Sequence, residues 1–85
     1  MMLTILYFAW VRERIGHAEE TVTLPEHVAT VADLVAWLAT RGGGYAEAMA
    51  EPERLRAAVD QNFVGLDAAI GNAREVAIFP PVTGG

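Results

Sequence analysis

Both alternating sets of positions are apolar at the start of the chain. Residues 2–10, Met-Leu-Thr-Ile-Leu-Tyr-Phe-Ala-Trp, are rich in β-branched and aromatic types and predict a strand. Leu3, Ile5 and Tyr7 would project to one side, and Leu6, Phe8 and Trp10 to the other. Such a strand is either central and covered on both faces, or it offers one face for docking. Residues 11–16 carry Arg12, Glu13 and Arg14 and predict a short turn or helical loop closing at Gly16. Residues 20–24 alternate polar and apolar, as a half-buried strand does, and Pro25 ends them. The two runs are close enough to pair as an antiparallel hairpin.

The period then changes. Val31, Leu34, Val35 and Leu38 follow i, i+3, i+4, i+7 spacing and predict a helix over residues 30–41, with Trp37 at the edge of its stripe. Thr30 followed three residues later by Asp33 reads as a capping-box start. Gly42-Gly43-Gly44 reads as the stop. A second short helix is expected over residues 45–51, closed by Pro52. Residues 56–64 read as one strand, residues 65–72 as a turn region with a brief strand near Leu66, and residues 75–79 as the last strand. In that last strand Val76 and Ile78 share one face, and Ala77 and Phe79 the other.

One main helix and a small mixed sheet pack most economically with the helix across one sheet face, giving an α+β fold of the β-grasp type. Its first and last strands would be parallel neighbours at the centre, joined by a right-handed crossover. We therefore expect a β-grasp domain over residues 1–79 and a flexible C-terminal tail over residues 80–85.

Composition narrows the chemistry. Eighty-five residues make one domain with a thin core. At 53% hydrophobic residues, some of the apolar excess is expected on the surface as a contact patch. The formal charge of −5 disfavours nucleic acid and suits a partner with a basic docking face. Cysteine and lysine are both absent, so the side chains offer no thiol, no amine for an isopeptide bond or Schiff base, and no P-loop lysine. No run is long and apolar enough to span a membrane, and no basic n-region precedes the first strand. A cytoplasmic protein is expected.

The sequence closes in Phe79-Pro80-Pro81-Val82-Thr83-Gly84-Gly85, with Glu75 its last charged side chain. Pro80-Pro81 fixes two φ angles and biases Phe79 toward extension. Gly84 and Gly85 have no Cβ and fit a channel too narrow for other residues. Six extended residues reach at most roughly 20 Å, enough to carry the Gly85 carboxylate deep into another protein. A carboxylate must be activated before acyl chemistry, and adenylation by ATP does this. An amine attacking the acyl-adenylate gives conjugation; a sulfur donor gives a thiocarboxylate, whose sulfur is a soft nucleophile.

These residues resemble the ubiquitin-like sulfur carrier family to which the small subunits of molybdopterin synthase belong. The likeness rests on Leu6-Tyr7-Phe8-Ala9-Trp10-Val11-Arg12-Glu13, on Ala58-Val59-Asp60-Gln61-Asn62-Phe63-Val64 and, most specifically, on the run from Glu75 to Gly85. It implies that an ATP-dependent adenylyltransferase of the ubiquitin-activating type activates Gly85, that a sulfur donor system converts it to a thiocarboxylate, and that the tail enters the large catalytic subunit. There the sulfur would pass to cyclic pyranopterin monophosphate to form the molybdopterin dithiolene, in a heterotetramer of two small and two large subunits. The chain itself would bind no cofactor or metal and supply no catalytic side chain. It departs from the family at Asp60, commonly Asn, and at Asn72-Ala73-Arg74, commonly Asp-Gly-Asp.

By parity Phe8 and Phe79 fall on the outer sheet face, and Phe63 is expected to join them as an interface anchor. Other features read as structural. His17 and His27 lack ligand-like spacing, Gly42-Gly43-Gly44 is not followed by Lys-Ser/Thr, Arg12 and Arg14 read as solvated charge, and Glu47, Glu51 and Glu53 read as a solvated face. Three alternatives stay open on the residues alone: a sulfur carrier for another pathway such as thiamine thiazole synthesis, a modifier conjugated through Gly85, and a plain protein-binding module.

Overall fold

A computed structural model describes residues 1–81. Five strands form one mixed sheet in the order β2-β1-β5-β3-β4. They are β1 (Met2–Tyr7), β2 (Glu19–Thr23), β3 (Arg56–Val59), β4 (Asn62–Val64) and β5 (Glu75–Phe79). The expected parallel pairing of the first and last strands is present, with Thr4 opposite Glu75 and Tyr7 opposite Ile78. The β1–β2 hairpin is antiparallel, as are the β3–β5 and β3–β4 pairs.

The helices are α1 (Ala9–Ile15), α2 (Val31–Ala39) and α3 (Gly43–Ala48), followed by a 3-10 turn over Pro52–Arg54. Helix α2 begins with the capping box read from the sequence. Thr30 Oγ1 accepts from the Asp33 amide at 3.1 Å, and Asp33 Oδ2 accepts from the amides of Thr30 at 3.1 Å and Ala29 at 3.0 Å. These backbone donors hold the Asp33 carboxyl below its usual range. The apolar stripe Val31, Leu34, Val35 and Leu38 is buried and joins Leu3, Ile5, Tyr7, Val76 and Ile78 in one core. This is an α+β, ubiquitin-like β-grasp.

Four elements depart from expectation. The brief strand expected near Leu66 is a turn, and the nearest pairing is a single antiparallel bridge between Ala69 and Thr30. The first strand stops at Tyr7 rather than Trp10, because Ala9 takes a left-handed backbone (φ 52°) and starts α1. Trp10 therefore leaves the sheet and lies on α1, with the Arg14 guanidinium 4.5 Å from its ring centre. The single strand expected over residues 56–64 is a hairpin. Asp60 (φ 47°) and Gln61 (φ 71°) make the two-residue turn, whose reversal demands positive φ at both positions. The glycine run does not stop α2, which ends at Thr40 through its own C-cap; Gly42 caps α3, and Gly43 and Gly44 lie within it.

Candidate functional site

The sheet face opposite α2 carries a row of residues paired across four strands. Leu6 on β1 faces Ala77 on β5, Ala77 faces Ala58 on β3, and Ala58 faces Phe63 on β4. Directly opposed residues share a face, so the two alanines make a low floor between larger neighbours. Phe8, Phe63 and Phe79 rise around it, bounding an apolar groove of about 650 Å³ that Pro80 and Pro81 also line. The Phe63 and Phe79 rings stand 5.7 Å apart at a 57° tilt. Phe63 is 84% exposed and Phe8 46% exposed, unusual for large apolar rings on an 85-residue domain. All three expected anchors thus meet on one surface.

The groove and the chain exit coincide. The Phe8 amide donates to the Ile78 carbonyl at 3.3 Å, so Phe8 is fixed beside the end of β5, where Phe79 leads into Pro80 and Pro81. The remaining tail positions expected to act, Val82, Thr83, Gly84 and Gly85, lie outside the described residues.

Asp60, one of the departures from the family pattern, has a structural task. Its Oδ1 accepts from the amides of Arg74 at 2.9 Å and Glu75 at 3.0 Å, tying the β3–β4 turn to the start of β5. Ala73, in the other departure, is buried. His17 and His27 are exposed in loops, and Arg12 and Arg14 are exposed on α1.

On the α3 side lies a polar cluster that sequence reasoning missed. Glu20 Oε2 accepts from the Tyr7 hydroxyl at 2.8 Å and the Tyr45 hydroxyl at 2.5 Å, while Oε1 accepts from Arg41 at 2.9 Å. Burial disfavours the Glu20 carboxylate, but the three donors outweigh it and hold its carboxyl below the usual range. Burial, reinforced by Glu20, pushes both phenols up, Tyr7 far above the ordinary range for tyrosine. The members stand 13 to 25 residues from Glu20 along the chain, so no local spacing announces them. The cluster locks β2 to α3 and lies away from the groove lining.

No helix among the described residues is long and apolar enough to cross a membrane. With its helix-packed core, its exposed aromatic groove and the prolines that follow β5, the molecule is a ubiquitin-like β-grasp protein. The chain belongs to the ThiS family, whose model matches residues 5–85. It is 39% identical over 84 residues to the molybdopterin synthase sulfur carrier subunit of Haemophilus influenzae, covering 99% of this chain and 100% of that protein. It is 38% identical over 84 residues to the Escherichia coli protein of the same name, with the same coverage. Among solved structures it is similar to a putative molybdopterin converting factor subunit 1 from Pyrococcus furiosus. That match has a TM-score of 0.75 and 27% identity, and covers 96% of this chain and 99% of that one.

Proposed function

We propose that the protein is the sulfur carrier subunit of a molybdopterin synthase. In this reading the Gly85 carboxylate attacks the α-phosphorus of ATP on an activating enzyme, pyrophosphate leaves, and a sulfur donor then displaces AMP. The resulting thiocarboxylate enters the large subunit, where its sulfur attacks a carbon of cyclic pyranopterin monophosphate and displaces an oxygen substituent. Water then cleaves the thioester so formed, leaving the sulfur on the product and returning Gly85 as the carboxylate, and a second carrier supplies the second sulfur. The chain's own residues bind and aim. The groove docks on the partner, and Pro80-Pro81, at the edge of that groove, fix the direction in which the chain leaves β5. The observation that carries the reading is the coincidence of the exposed aromatic groove with the exit of β5 at Phe79 and Pro80. The full-length likeness to carriers of that name supports it.

The test is mass spectrometry of the intact chain after incubation with ATP, the activating enzyme and a sulfur donor. Exchange of one oxygen for sulfur at Gly85 is expected, followed by conversion of precursor to molybdopterin when the large subunit is added. An unchanged mass with no conjugates would point instead to a binding module. Sulfur loading without molybdopterin formation would point to a carrier for another pathway.

A further inference from the structure

Ala9 is one of three non-glycine residues among those described with positive φ, at 52°. The other two, Asp60 and Gln61, make a hairpin turn that requires it. Ala9 sits instead at a strand-to-helix junction, where a residue with a Cβ is strained in the left-handed region. Such strain persists only where the surroundings enforce it, and both backbone groups of Phe8 do so. Its amide donates to Ile78 at 3.3 Å, and its carbonyl accepts from the amides of Val11 at 3.1 Å and Arg12 at 3.3 Å. The reversal at Ala9 leaves the Phe8 ring half-exposed on the groove and sends Val11 into the core. Had the chain run on as a strand, Trp10 would follow Phe8 onto the groove face.

We propose that Ala9 is a positioning residue for docking: its left-handed backbone sets Phe8 at the groove rim beside the exit of β5, and its methyl group denies the junction the freedom glycine would have. Glycine would take φ 52° without strain but would also sample many other conformations. Alanine, pinned on both sides, holds Phe8 in one place before the partner arrives. The partner's identity rests on the sulfur-carrier reading; the setting of Phe8 does not.

Two variants test this. Ala9→Gly is compared with the wild-type chain by amide hydrogen exchange at Phe8, by affinity for the large molybdopterin synthase subunit of the same organism, and by thermal melting. A chain synthesised with D-alanine at position 9 keeps the methyl and favours positive φ. In Ala9→Gly, Phe8 exchange is expected to accelerate and affinity to fall about three- to fivefold, with melting little changed because relief of strain offsets glycine's added freedom. D-alanine is expected to restore both and to raise the melting temperature. Unchanged Phe8 exchange in Ala9→Gly overturns the proposal, as does weakened binding that D-alanine fails to rescue. A wild-type chain that does not bind the large subunit overturns the sulfur-carrier reading alone, and Phe8 exchange then still decides the role of Ala9.

Discussion

Gly44 lies so close to Arg14 that a Cβ built on it would stand 1.8 Å from the Arg14 carbonyl oxygen and 3.2 Å from the Ile15 Cα. This contact brings α3 against α1. The obstructing atoms are backbone and cannot swing aside, so the two helices must separate to admit a methyl group. We expect Gly44→Ala to lose about 2–3 kcal/mol despite alanine's better helix propensity. Urea unfolding should show a lower midpoint; an unchanged midpoint would mean that α1 and α3 are not held at this distance.

Asp60 can be tested by paired substitutions. Asp60→Ala strands the Arg74 and Glu75 amides and places an ordinary residue at φ 47°. A loss of about 1–2 kcal/mol is expected. Asp60→Asn keeps an oxygen acceptor on a side chain that tolerates the left-handed region, and should fall within about 0.5 kcal/mol of the parent. Thermal melting of the two variants checks this. If both lose equally, the carboxylate charge matters rather than the acceptor geometry.

How legible these features were depended on how local their signals are. The period of Val31, Leu34, Val35 and Leu38, and the Thr30–Asp33 box, lie within one helix and could be read directly. The face assignments of β1 and β5 followed from parity alone, and they were enough to bring Phe8 and Phe79 together. The β3–β4 turn was not legible, because Asp60-Gln61 has no glycine and its support comes from Arg74 and Glu75, 14 and 15 residues away. Gly44 looked like part of a helix stop because its requirement is a neighbouring helix, which a local pattern does not contain. Trp10 looked like strand because the strain at Ala9 is imposed by tertiary contacts against a sequence that favours extension.

The Glu20 cluster predicts an acid limb in stability. Its carboxyl titrates lower in the folded chain than the usual 4.5, so the unfolded chain binds more protons between the two values. The stabilisation is therefore complete above the ordinary value and lost as pH falls through the depressed one. Melting temperatures from pH 7 to pH 3 should fall more steeply for the parent than for Glu20→Gln. The variant should be less stable at neutral pH, with the gap narrowing in acid. Parallel curves would show that Glu20 does not carry the effect.

Phe63 separates docking from folding most sharply. At 84% exposure its ring contributes little to the core, and its nearest aromatic partner is Phe79 at 5.7 Å. Phe63→Ala should therefore cost the free chain no more than about 1 kcal/mol. At the centre of an interface the same truncation removes a desolvated aromatic anchor, which typically costs about 2–4 kcal/mol of binding. The lower figure already corresponds to roughly a thirtyfold weaker Kd. Calorimetric titration with the large subunit and melting of the free chain measure the two losses on the same preparation. A binding loss well beyond the stability loss places Phe63 in the docking surface. A binding loss no larger than the stability loss would remove it from that surface and leave Phe8 and Phe79 to anchor the groove.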